Sequence, residues 1–160
     1  MKEKILIVVA NILEKNNKFL LVKERKRTFA GKKLKGVWNL PAGRLEREGL
    51  IDCLLRETKE ETGFKVKPTH LVGIYQYPKI LGMNVIIFIF SSKILKGKFK
   101  PTKEIEKINW FSLEEIKDLK EKGELRGNYI LEAIKNYKRK KKIPIEFVSV
   151  KKPQLKFKRN

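Results

Sequence analysis

A chain of 160 residues, 41% of them hydrophobic, is long enough to bury one core without staples and fits one domain of ordinary size. Its single cysteine, Cys53, excludes an internal disulfide framework; the apolar run Val85 to Phe90 is six residues, too short to cross a bilayer as a helix, and no cleavable signal opens the chain, so a cytoplasmic protein with no membrane contact is expected. The net charge of +21, from 39 Lys and Arg against 18 Asp and Glu, attracts polyanions, among which phosphorylated metabolites and RNA both qualify, while a merely solvated Lys-rich surface is the plain alternative.

In chain order, Lys4 to Leu13 is rich in β-branched residues and reads as a strand. Asn16-Asn17 marks a turn, and Phe19 to Val22 returns as a second strand. Arg25 to Lys35, polar and broken by Gly31, reads as a loop. Val37 to Leu45 is short extended structure punctuated by Pro41 and Gly43. From Leu50 to Thr62 the period changes. Ile51, Leu54, Leu55, Thr58 and Thr62 recur at helical spacing, and Gly63 stands where a left-handed cap is expected. Phe64 to Tyr77 and Met83 to Phe90 are long strands, and Lys107 to Phe111 a short one. Ser112 and Glu115 have capping-box spacing for a helix to about Lys120, and Asn128 is placed to cap a last helix through Tyr137. Strands, a central helix, more strands and terminal helices predict an α+β domain over 1–137, a mixed sheet with helices packed on it. Residues 138–160 carry ten Lys and Arg against Glu146 and read as a basic, mobile tail, with Ile145, Phe147 and Val150 as its anchoring points.

The chemistry is concentrated in the central helix. Glu57, Glu60 and Glu61 stand at i, i+3 and i+4, which crowds three carboxylates onto one patch near a helix C-terminus. Like-charge crowding there and the macrodipole both oppose it, and a divalent cation would relieve it. Hard oxygen donors favour Mg²⁺, with Mn²⁺ as the alternative. A solvated glutamate-rich face is the ordinary reading of such a string taken alone.

The flanking residues narrow the choice. Gly43, Glu48, Arg56, Glu57, Glu60, Glu61, Gly63 and Phe64 match, type by type, the signature of the Nudix hydrolases. Val37 to Ala42 before it and Trp110 to Ile116 after the core sheet resemble the family's flanks. The likeness covers roughly residues 4–137, and two departures stand out. Four residues separate Gly43 from Glu48 where the family has five, and Thr58 occupies a usually aliphatic position, where its hydroxyl is expected to bond back to a carbonyl one turn earlier. Around Trp38 to Glu46 and Leu125-Arg126, the chain most resembles the branch acting as phosphatases on nucleoside tri- and diphosphates and thiamine-type pyrophosphates.

The resemblance implies an α/β/α sandwich and a metal-dependent pyrophosphohydrolase acting on a nucleoside di- or triphosphate or a similar small diphosphate. It implies Glu57, Glu60, Glu61 and a backbone oxygen at Ala42 as metal ligands, and Arg56 as the residue holding Glu57. Glu57, or Glu104 or Glu106 from a later loop, would serve as base or further ligand. Arg44, Arg25 and Arg27 are candidate phosphate contacts, and Trp38 a candidate stacking residue, with core packing its alternative. Tyr75 and Tyr77 stand as pocket or packing residues. Removal of pyrophosphate from RNA 5′ ends through the basic tail, and a non-catalytic RNA- or phosphate-binding module, are the rival functions.

Overall fold

The strand Lys4–Lys15 (β1) is the spine of the fold. Its residues Val9 to Leu13 are buried consecutively rather than alternately, the pattern of a strand covered on both faces. It pairs in parallel with Met83–Gly97 (β8) from Lys4↔Met83 to Leu13↔Ser92. At its end it turns through Asn16 and Asn17, both with positive φ (51° and 58°), into Lys18–Glu24 (β2). Positive φ at both central positions is the two-residue hairpin turn that asparagine tolerates. The structure, a computed structural model, describes residues 4–25, 27–29, 32–34, 36–80 and 82–149, without the side chains of 27–29, 32–34, 79 and 80.

Between β2 and the central helix the backbone forms a small hairpin, Arg27–Phe29 (β3) with Lys32–Leu34 (β4), where the sequence pattern predicts a loop. Trp38–Asn39 (β5) pairs with β2, and Ala42–Arg44 (β6) pairs with the middle of β1. After helix Leu50–Thr62 (α1), Phe64–Ile80 (β7) and β8 form a long antiparallel hairpin, and Ile105–Phe111 (β9) pairs with β2. With Ile143–Pro144 (β10) at its edge, the main sheet runs in the order β10-β7-β8-β1-β2-β5, with β6 on β1 and β9 on β2. β1 therefore forks. Its middle holds β6 and its end holds β2, and the gap between the branches is where the site lies.

Helices cover both faces. α1 packs Cys53 and Leu54 on Val9 and Phe90. On the other face Leu113–Glu121 (α2) and Tyr129–Lys138 (α3) bring Ile116, Ile130 and Ile134 against Ala10, Ile12 and Ile89. This is the expected α/β/α sandwich. The capping box on α2 forms, with Ser112 N–H donating to Glu115 at 2.7 Å and Glu115 N–H to Ser112 at 3.2 Å. Asn128 precedes α3 but is already helical, so its side chain makes no capping bond.

The segment beyond α3 is part of the sheet as far as it is described. Ile143–Pro144 (β10) pairs with His70 and Leu71 of β7, and Ile145 and Val148 join the cluster beneath α1. Phe147 is 76% exposed and anchors nothing; Val150 lies outside the described residues.

Candidate active site

α1 ends as its sequence dictates. Gly63 adopts the left-handed conformation (φ 75°) and its N–H bonds Lys59 O, while the Lys59 ammonium bonds Gly63 O at 2.8 Å, a cation at the negative helix end. The buried face is rotated from the one the periodicity predicts: Cys53, Leu54, Thr58 and Thr62 are buried, and Leu55 is exposed. That rotation carries Glu57 and Glu61, one turn apart, to the border of the core, and leaves Glu60 outward with its side chain 58% exposed.

Thr58 departs from expectation in its partner. Its hydroxyl accepts from Asn11 Nδ2 at 2.9 Å, and Asn11 Oδ1 accepts from Ser92 at 2.9 Å. The back-bond to a carbonyl one turn earlier is made by Thr62 instead, onto Thr58 O at 2.6 Å. A hydroxyl at position 58 therefore satisfies a fully buried asparagine on β1 and ties helix to sheet.

Arg56 organises the acids. Its Nε donates to both Glu48 oxygens at 3.1 Å and its Nη2 to Glu48 Oε1 at 2.5 Å. Its Nη1 donates to Glu57 at 2.6 Å and to Glu60 at 3.2 Å, and Nη2 also reaches Arg44 O at 3.3 Å. The turn before α1 thus folds back far enough to bring Glu48 onto Arg56 despite its missing residue. This fork holds the Glu48 carboxyl below its ordinary range and raises the guanidinium. β6 forms the opposing wall. Ala42 N–H donates to Glu61 Oε2 at 2.8 Å, and Gly43 lies so close that a Cβ there would fall 1.8 Å from Glu57 Cδ. Burial pushes the Glu61 carboxyl up to about 8 against the pull of the Ala42 N–H, with Glu57, Glu104 and Glu60 adding repulsion. Burial also raises Glu57, opposed by Arg56.

The acids open onto a cavity of about 750 Å³. Glu57, Glu61 and Glu104 mark one end; Val8, Val85, Ile87, Tyr77 and Tyr129 give it an apolar and aromatic wall. A side recess of about 190 Å³ gathers Glu57, Glu60, Glu61 and Glu104 with Lys103. Arg44 and Arg25 line the main cavity, Arg25 steadied by its Nε bond to Thr102 O at 3.0 Å. The side chain of Arg27 lies outside the described residues. Of the two late-loop acids only Glu104 reaches the cavity. Glu106 is skipped in the β2–β9 register, where Lys23 pairs with Lys107 and Glu24 with Ile105; such a bulge re-aims its side chain, and Glu106 is exposed on the strand. Trp38 is not a wall of the cavity. It is buried edge-on against Phe111, ring centroids 4.7 Å apart, which is core packing. Tyr75 packs toward α3, accepting from Asn136 at 3.3 Å, whereas Tyr77 lines the cavity.

A polar array on the cavity wall joins Asn39 and Arg126, from the two stretches that carry the branch resemblance, to Glu24 and Tyr129, which no motif marks. Arg126 pairs with Glu24, Asn39 Nδ2 donates to Glu24 at 3.0 Å, and the Tyr129 hydroxyl donates to Asn39 Oδ1 at 2.8 Å. All four residues line the cavity. The partners are brought together from β2, β5 and the start of α3, and Arg126 and Glu24 are 102 residues apart, so only the folded chain reveals them.

The profile of the NUDIX domain matches residues 4–133. The chain belongs to the Nudix family of hydrolases, enzymes that act on phosphorus-containing acid anhydrides. It is 31% identical over 147 residues to the phosphatase NudJ of Escherichia coli K12, covering 89% of each chain. It superposes on a NUDIX hydrolase from Nitrosomonas europaea with a TM-score of 0.79 and 30% identity, covering 94% of this chain and 98% of that one. An ADP-ribose pyrophosphatase from Streptococcus suis matches with a TM-score of 0.56 and 25% identity over 68% of this chain and 75% of that one. In this Nudix protein the donor set suits a hard cation: the acids supply oxygen only, they repel one another at the cavity end, and Gly43 leaves them the space a Cβ would fill. Among the described residues no three of them are closed into a complete coordination group, because Glu57 is turned to Arg56 and Glu61 to Ala42.

Proposed function

We propose that this Nudix hydrolase is a divalent-metal-dependent pyrophosphohydrolase that cleaves the phosphoanhydride of a nucleoside di- or triphosphate or a similar small diphosphate. The observation that carries the reading is the joining, in one cavity, of an acidic end built by Glu57, Glu61 and Glu104 to an apolar, tyrosine-lined wall. The first suits metal and phosphate, the second a ring or base.

Glu57, Glu60, Glu61 and the Ala42 carbonyl would hold the ion, Mg²⁺ or alternatively Mn²⁺. When bound, it would neutralise phosphate oxygens and acidify a water. Arg56 positions Glu57 and Glu60 through the fork described above. Arg44 and Arg25, on the cavity wall, would take the charge of the phosphates. Three of the proposed site's carboxylates line the cavity, Glu57, Glu61 and Glu104, and Glu61 is already taken by the Ala42 N–H. Glu57 is engaged by Arg56, whereas Glu104, in the same recess, has no ion pair among the described residues, so Glu104 is assigned the proton. The names borne by the relatives, a phosphatase and an ADP-ribose pyrophosphatase, support a phosphoanhydride substrate.

The test is release of phosphate or pyrophosphate from a panel of nucleoside and small-molecule diphosphates and triphosphates with Mg²⁺, Mn²⁺ or chelator. Glu60→Gln and Glu61→Gln should each lower turnover by about 10² or more, and Glu104→Gln should lower kcat by about 10² or more at saturating Mg²⁺. Full activity in both helix variants would place the chemistry elsewhere.

A further inference from the structure

The β7–β8 hairpin sets lysine directly against lysine. Lys65 pairs with Lys96 and Lys67 with Lys93, and all four are exposed. Like charges directly opposite each other on neighbouring strands are destabilising, and none of the four has a carboxylate at ion-pair distance among the described residues.

Register fixes the face they share. Ser91 pairs with His70 and lies beside Ile12 of β1, and Ile12 packs in the core with Ile130 and Ile134 of α3. Lys93, two residues on from Ser91, therefore points to the α3 side of the sheet, and its partner Lys67 and the alternating Lys65 point with it. The basic run 138–142 follows α3 at this end. Lys138 Nζ donates to Asn17 Oδ1 in the β1–β2 turn at 2.7 Å, and the Lys142 ammonium sits 4.2 Å from the Tyr137 ring. Of the acids at this end, Glu14 is occupied by the Tyr137 hydroxyl at 2.9 Å, and Glu146 lies with Lys142 beside His70 on β7. Two unrelated stretches of sequence, a strand hairpin and a helix end, thus bring cations to the same end of the α3 face of the sheet. The substrate cavity opens at the other end of the same helix, beside Gly127 and Tyr129, so α3, a helix of ten residues and about 15 Å long, separates the two.

We propose that these cations bind the phosphate backbone of single-stranded nucleic acid. Successive same-face lysines on a strand stand about 6.6 Å apart, and a line of point charges tracks a chain of phosphates. An interfacial membrane site would need an apolar face among the cations; the exposed apolar residues here, Leu95 at the β8 bulge and Ile143 after the basic run, stand singly on separate strands. The proposal is independent of the hydrolytic reading, because binding requires neither metal nor turnover.

The test is fluorescence anisotropy of the full-length protein with a labelled uridine 20-mer from 50 to 200 mM salt. It is run on wild type and on the quadruple variant Lys65→Gln, Lys67→Gln, Lys93→Gln, Lys96→Gln. If the four lysines each neutralise one phosphate, the slope of log affinity against log salt falls by about 2.8 in the variant. Across that salt range the wild type then loses about 50-fold more affinity than the variant. Removing the opposed charges should leave the melting temperature equal or higher, so misfolding does not mimic the result, and small-substrate turnover should be unchanged. Equal slopes in the two proteins would overturn the proposal. Binding to vesicles containing anionic lipid with none to the 20-mer would overturn it in favour of a membrane. Displacement of the 20-mer by unlabelled RNA at lower phosphate concentration than by inorganic polyphosphate identifies nucleic acid as the source of the phosphates; the reverse order would reject that identification.

Discussion

The closeness of Gly43 to Glu57 gives a sharp test of the acidic cluster. An alanine at 43 would bring its Cβ within 1.8 Å of Glu57 Cδ and 2.1 and 2.2 Å of the two carboxylate oxygens. Ordinary contact begins near 3.4 Å, so the carboxylate must retreat by about 1.6 Å. The atoms met are the far end of a side chain, and Gly43 has no left-handed φ, so β6 can keep its pairing with Val9. The strain falls instead on the 2.6 Å bond between Glu57 and Arg56. Misplacing a catalytic group by about 1 Å costs about 10²-fold. Gly43→Ala should therefore lower kcat by about 10² at saturating substrate and Mg²⁺, with the melting temperature changed by a few degrees. Adding Glu57→Asp shortens the acid by about one bond, ~1.5 Å, which is close to the required retreat, and should recover part of the loss. A Gly43→Ala protein turning over within twofold of wild type would refute the reasoning, since Glu57 would then not need the place the structure gives it.

Arg56→Lys keeps a charge but loses the fork that grips Glu48, Glu57 and Glu60 together; the Mg²⁺ concentration for half-maximal rate should rise about 10- to 100-fold, with substrate KM little changed. Glu61 has its folded-state carboxyl raised from 4.5 to about 8, so in the metal-free protein its contribution to stability is present below pH 4.5 and is lost as pH rises through 8. Metal-free protein should melt at a lower temperature at pH 9 than at pH 5, and Mg²⁺ or Glu61→Gln should flatten that slope; a slope unaffected by both would show that another group sets it. Thr58→Val leaves the buried Asn11 amide without its acceptor, which costs about 1–3 kcal/mol. A melting temperature equal to wild type would remove the hydroxyl from the account of this position.

What could be read from the sequence was local. The i, i+3, i+4 glutamates and Gly63 specify α1 and its acidic border because both signals lie within one helix. The edge of its buried face was not legible, because Leu55 fits the period of Ile51, Leu54, Thr58 and Thr62 as well as Cys53 does, and only Val9 and Phe90 on the sheet choose between them. Trp38 illustrates the same limit. Its position before the signature suits a stacking residue, yet the pairing of β5 with β2 and of β2 with β9 carries it onto Phe111. The far wall of the cavity depends on strand order, and no local pattern states that Glu24 meets Arg126.

The loop from Gly43 to Glu48 is one residue shorter than the family's, and Arg56 explains why it still joins the helix side of the site. The loop is held at both ends: Leu45 N–H bonds Ile7 O at 2.9 Å, and Gly49 O takes the N–H of Cys53 at 3.0 Å as α1 begins. Between those anchors the guanidinium takes both Glu48 oxygens and Arg44 O, while its other nitrogen holds Glu57 and Glu60. The position of Glu48 is therefore set by a side chain of α1 rather than by the number of residues leading to it. A shorter loop is tolerated as long as one carboxylate still reaches the fork, and the cluster that faces the cavity keeps its geometry from the helix that carries it.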